Sequence, residues 1–112
     1  MTLGRKIAEQ NEDNDNGKTP EHLKELFDAI RLLKNEGEFQ RFFDDLCTPA
    51  ELRSLADRWR VAQLLEKGIP YRVINEETGV STATITRVAR SLIYGAKGYR
   101  LILDRLKRGR RS

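Results

Sequence analysis

Between positions 81 and 90 the chain brings together Ser81, Thr82, Ala83, Thr86, Arg87 and Arg90: hydroxyls, one small methyl and two guanidinium groups. These are side chains suited to close approach to a duplex. Hydroxyls and methyls can meet base edges, while guanidinium groups bind phosphate. Ile85, Val88 and Leu92 recur three and four residues apart. They therefore share one face of a helix and leave Thr82, Ala83, Thr86 and Arg90 on the other. Ser81 is placed to cap that helix, because its hydroxyl can accept a first-turn backbone N–H. Just upstream stands Gly79, which tolerates the left-handed conformation that ends a helix. Ile74 before it and Val80 in the turn supply apolar contacts. The whole stretch, YRVINEETGVSTATITRVARSL (residues 71–92), reads as a helix-turn-helix whose second helix enters a DNA groove. Arg72 adds a cation beside its start.

The remaining composition excludes several other kinds of chemistry. One His and one Cys cannot make a zinc site of the usual type. There is no nucleophile–base set, no glycine-rich phosphate loop and no metal cluster, so an enzyme is not expected and neither a catalytic residue nor a cofactor is assigned. His22, the sole histidine, sits at a helix start. Cys47 cannot pair within the chain and reads as a small buried apolar residue, which fits a reducing cytoplasm. No apolar run approaches the length of a membrane span, and residues 1–15 carry no secretion signal. A soluble, cytoplasmic protein is expected.

The elements that must position these groups are helical. Residues 1–19 are polar and read as a disordered segment. Thr19-Pro20-Glu21 opens a first helix, with Thr19 as cap and Pro20 at the first helical position. Leu23, Leu26, Phe27, Ile30 and Leu33 form its apolar stripe, and Asn35-Glu36-Gly37 breaks it. A second helix, about Glu38 to Leu46, carries Phe39, Phe42 and Phe43. So much apolar surface must pack on other helices, of this chain or of a partner. Thr48-Pro49-Ala50-Glu51 is a capping box and starts the longest helix, to about Lys67. Its apolar positions are Leu52, Leu55, Ala56, Trp59, Ala62 and Leu65, with Val61 and Leu64 beside them, and Trp59 reads as core. Gly68 ends it. After the helix-turn-helix comes a short amphipathic helix bearing Tyr99, Leu101, Ile102, Leu103 and Leu106. No strand-like alternation occurs, so the fold class is all α, with about six helices. The domain spans residues 20–106. Residues 107–112 form a basic tail, and from Arg100 to Ser112 six cations stand against Asp104, or +5 of a chain whose formal net charge is +4.

The runs TPAELRSLADRWRVAQLLEKG and TGVSTATITRVARSL, with FFDDLCT before them, resemble the trp repressor family, and in particular its YerC/YecD-type branch. The matching residues include Thr48-Pro49, Glu51, Arg58, Arg60, Leu65, Gly68, the block Ala83-Thr84-Ile85-Thr86-Arg87, and Ser91-Leu92. The resemblance covers about residues 22–106. It implies an intertwined helical homodimer with two reading helices one duplex turn apart, and hence a palindromic site on double-stranded DNA. It also implies a candidate effector pocket at Thr48, Arg58, Thr84, Arg87, Val88 and Ser91, where the family's repressors bind tryptophan. Two arginines there can sandwich an aromatic ring, and hydroxyls can bind the ligand's charged ends.

At one position this chain departs from the tryptophan-binding members, which have glycine directly after the second arginine. Here Val88 stands, and its isopropyl group intrudes on the ligand's space, an overlap that costs more than ~1–3 kcal/mol. Val88 therefore argues against L-tryptophan, and no other small-molecule effector is named. The segment YRVINEETG is also one residue shorter than in those members, with Asn75 at a position usually small; both bear on the crossing angle of the two helices. The expected function is that of a sequence-specific transcriptional regulator. On this reading Thr82, Ala83 and Thr86 face bases, and Arg72, Arg87 and Arg90 face phosphates. A protein-interaction module or accessory of a transcription complex, using the same motif as scaffold, stays open as the alternative.

Overall fold

Cap chemistry sets most of the helix boundaries. The computed structural model describes residues 20–111, so the expectations for residues 1–19, including the Thr19 cap, lie outside the described residues. Within them lie six helices and no strand: α1 Glu21–Arg31, α2 Glu36–Leu46, α3 Pro49–Glu66, α4 Tyr71–Thr78, α5 Thr82–Tyr94 and α6 Gly98–Arg111. The chain divides into two units, residues 1–45 and 46–112.

In the first unit, Pro20 occupies the cap of α1 and not its first helical position. Its extended ψ of 145° leaves the carbonyl free to accept the Lys24 N–H at 3.0 Å. The second helix begins two residues earlier than the sequence suggested. Asn35 is its cap: the Asn35 side chain accepts the Glu38 N–H at 3.0 Å, and the Glu38 carboxylate accepts the Lys34 N–H at 2.9 Å. A glycine in a helix's first turn is readily accommodated, so Gly37 does not break the helix. Phe42 and Phe43 meet edge to face at 5.8 Å. Neither α1 nor α2 contains a buried residue; Phe27 and Phe39 remain 44% and 41% exposed.

The second unit holds the core, built from Val61, Ala62, Leu64, Ile74, Val80, Ile85 and Val88. The Thr48 capping box is complete: its hydroxyl accepts the Glu51 N–H at 3.1 Å, and its own N–H donates to the Glu51 carboxylate at 2.8 Å. The C-terminal half of α3 is the strut under the helix-turn-helix. Its buried positions are Val61, Ala62 and Leu64, whereas Leu55 and Ala56, expected on the apolar stripe, are exposed. Trp59 stacks on Tyr99 with ring centroids 6.3 Å apart, joining α3 to α6. Gly68, at φ +78°, closes α3 with a paired arrangement: Gly68 N–H to Leu65 C=O at 2.9 Å, and Ile69 N–H to Leu64 C=O at 3.1 Å. The last helix is longer than the sequence suggested, since α6 continues to Arg111 and takes in most of the basic tail. Among its described residues only Leu103 is buried; Leu101, Ile102 and Leu106 are exposed.

Candidate nucleic-acid interface

The turn between α4 and α5 is held by side chains as well as by its glycine. Gly79 adopts φ +75°, a conformation that strains any residue with a Cβ. The Thr78 hydroxyl donates to the Ile74 carbonyl at 2.6 Å and accepts the Val80 N–H at 3.1 Å. Asn75 donates from Nδ2 to the Val80 carbonyl at 2.8 Å. The Val80 N–H and C=O are thus both bonded by side chains of α4, and Val80 drops into the core, 6% exposed. Ser81 then caps α5 by accepting the Thr84 N–H at 3.2 Å. Its hydroxyl also donates to Thr84 Oγ1 at 3.1 Å. Sequence reasoning noted Asn75 only as larger than usual; its hydrogen bond to the turn was missed, and an Asn five residues before a turn carbonyl carries little signal.

This frame presents α5 with one face sealed. Ile85 and Val88 are 0% and 1% exposed, packed with Ile74, Val61 and Ala62 in the core cluster. Leu92 is half-buried. On the opposite face Ser81, Thr82, Ala83, Thr86, Arg87 and Arg90 are all exposed. Neither Arg87 nor Arg90 has an ion-pair partner among the described residues. Arg72 differs: its guanidinium bonds Glu76 one turn along α4 at 2.7 Å. Both side chains are more than half exposed, so the pair is weak and open to exchange for phosphate.

The candidate effector residues do not converge to the same degree. Arg58 lines a groove with Leu46, Cys47, Ala50, Glu51, Ser54 and Leu55. Thr48 stands beside it through the capping box, and its backbone N–H, then its side chain, hold the Glu51 carboxyl below the usual carboxylate range. Thr84, Arg87, Val88 and Ser91 line none of the three grooves described. Thr84 and Ser91 are half-buried, and the Thr84 hydroxyl is taken by Ser81.

One further electrostatic feature fixes α6 to α3. Arg100 grips Glu66 through two bonds of 2.9 Å, and Lys107 reaches the same carboxylate at 2.7 Å. Arg100 first, then Lys107, hold that carboxyl down at about 2, and Glu66 in return raises Arg100. Partners so far apart in the chain leave no local pattern in the sequence. Among the described residues no group of His, Cys, Asp and Glu could hold a metal ion, and no helix is long and apolar enough to cross a membrane.

The family model described as Trp repressor protein matches residues 21–107. The chain belongs to the Trp repressor family. It is 53% identical over 85 residues to YerC, an uncharacterized protein of Bacillus subtilis (strain 168), covering 76% of this chain and 82% of that one. A Trp operon repressor homolog of Actinobacillus succinogenes is 38% identical over 68 residues, covering 60% of this chain and 67% of that one. Among solved structures, a TrpR-like protein from Eubacterium eligens superposes with a TM-score of 0.78 at 46% identity, covering 84% of this chain and 96% of that one. Within the Trp repressor family the chain thus stands nearer to YerC than to this operon repressor homolog, as FFDDLCT suggested.

Proposed function

We propose that this Trp repressor family member is a sequence-specific DNA-binding regulator of transcription that reads a palindromic operator as a homodimer and needs no tryptophan to do so. The observation that carries the reading is the face of α5. It offers Thr82, Ala83 and Thr86 beside Arg87 and Arg90, which have no ion-pair partner among the described residues, on a helix whose other side is sealed in the core. Family membership supports DNA as the partner. The dimer is supported by apolar surface left open on α1, α2 and α6, where Leu23, Phe27, Phe39, Leu101, Ile102 and Leu106 are each more than a third exposed. Independence of tryptophan is supported by Val88, whose side chain fills the core beneath α5.

The test is selection of bound duplexes from a random library by the full chain at two salt concentrations, with no ligand added. The expected result is one palindromic motif with half-sites a helical turn apart. Salt-sensitive capture with no common sequence would refute ligand-free reading, and capture of no duplex would point to the protein-interaction alternative.

A further inference from the structure

The exposed face of α5 does not stop at the residues so far assigned. Thr82, Thr86, Arg90 and Ile93 are spaced four, four and three apart, and Ala83, Arg87, Arg90 and Tyr94 four, three and four apart. At helical periodicity these are two adjacent stripes on one surface. Both end in large side chains left open: Ile93 is 61% exposed and Tyr94 79%. The helix ends directly after them at Gly95, where a Cβ would fall on the Ser91 carbonyl oxygen, so the backbone there takes no side chain without shifting. Beyond it the Lys97 ammonium donates to the Ile93 carbonyl at 3.4 Å, setting a cation against the same last turn.

The charge around this pair is one-sided. From Gly79 to Leu103 there is no Asp or Glu, while Arg87, Arg90, Lys97 and Arg100 contribute +4, equal to the formal net charge of the chain. Of these, Arg100 is neutralised by Glu66 of α3 and by Asp104. Three cations therefore flank an exposed isoleucine and tyrosine with no acid between them. A polyanion complements that surface, and its continuity with Thr82 and Thr86 on one helix face favours DNA.

Helix dimensions specify which part of the duplex is met. Ile93 lies roughly 16 Å along the axis from Thr82 at about 1.5 Å per residue. The major groove is about 12 Å wide. A helix whose first turns meet base edges has its last turn outside the groove floor, against the sugar–phosphate wall. We propose that Ile93 and Tyr94 form a sequence-independent clamp on that wall, Ile93 against deoxyribose and the Tyr94 hydroxyl donating to a phosphate oxygen. This rests on the reading of α5 as the DNA-entering helix. Contacts of this kind set affinity and register without choosing bases.

The test compares wild type, Tyr94→Phe and the double variant Ile93→Ala/Tyr94→Ala on the selected palindrome and on a scrambled duplex, with the oligomeric state measured in parallel. Tyr94→Phe loses one hydrogen bond and should bind both duplexes roughly threefold to tenfold more weakly, and the double variant more weakly still. The ratio of palindrome to scrambled affinity should stay at the wild-type value, and thermal midpoints should not move, since both side chains are exposed. If wild type binds and the variants match it within twofold, the clamp is refuted while the reading of α5 stands. If the palindrome-to-scrambled ratio collapses, these residues read bases and the clamp is likewise refuted. If the variants shift the oligomeric state without DNA, the pair belongs to a protein interface. If wild type binds no duplex, both readings fall.

Discussion

Thr86 and Val88 stand two residues apart on α5 and do opposite work. Thr86 is exposed on the proposed reading surface, whereas Val88 is 1% exposed in the core. Their division was legible from three- and four-residue spacing alone, because a helix with one apolar stripe has little choice of which side to bury. Val88→Ala removes two methyls from a packed site and should cost about 2 kcal/mol or more, read as a lower urea midpoint at unchanged slope. Asn75 was not legible in the same way. Its worth lies in a bond to the Val80 carbonyl, and nothing in the local pattern says where that carbonyl points. Asn75→Ala should cost about 1 kcal/mol and loosen the turn. Hydrogen exchange at Val80 and Ser81 should then rise more than exchange at Ile85.

At the scale of the element, most start and stop signals hold, and the exceptions are the position of Pro20 and the start of α2. The Thr48 capping box and the Gly68 and Gly79 terminators are found where the sequence put them. The first helix does end before Asn35, but α2 starts at Glu36 and not at Glu38, because Asn35 caps it and Gly37 fits within its first turn. The buried register of α3 shifted to Val61, Ala62 and Leu64 because α4 and α5 choose which side of a broadly apolar helix they cover. The tie between α3 and α6 is tertiary and was invisible in the sequence. Its titration gives a signed prediction. Glu66 has a folded value depressed from 4.5 to about 2, so its contribution is fully present above 4.5 and is lost as pH falls toward about 2. Arg100 and Lys107 are 38% and 59% exposed, so screening cuts the benefit to about 1 kcal/mol. Glu66→Gln should therefore lower the urea-unfolding free energy by about that amount at pH 7. The gap between the two proteins should close as the buffer is taken from pH 4.5 toward pH 2.

For the whole molecule, apolar surface and charge distribution make complementary demands. Helices α1 and α2 hold no buried residue, and α6 exposes Leu101, Ile102 and Leu106. Surface of that kind is stabilised by a second copy in the proposed dimer. Phe27→Glu should shift the mass measured by sedimentation toward that of one chain and weaken DNA binding in step, while α5 is untouched. Charge acts on the other partner. Replacing both Arg87 and Arg90 with alanine removes from each proposed reading helix two cations that have no ion-pair partner among the described residues. It should flatten the dependence of log affinity on log salt by about two units per chain, for palindrome and scrambled duplex alike.

The claim on which the rest depends is that the outward face of α5 chooses DNA sequence. Its most direct measurement is duplex selection from one random library by wild type and by Thr86→Ala, side by side and without ligand. The expected result is two palindromic motifs that differ at one symmetry-related position in each half-site, with the spacing between half-sites unchanged. Recovery of the same motif by both proteins at equal affinity would contradict it and would place the reading surface elsewhere on the molecule.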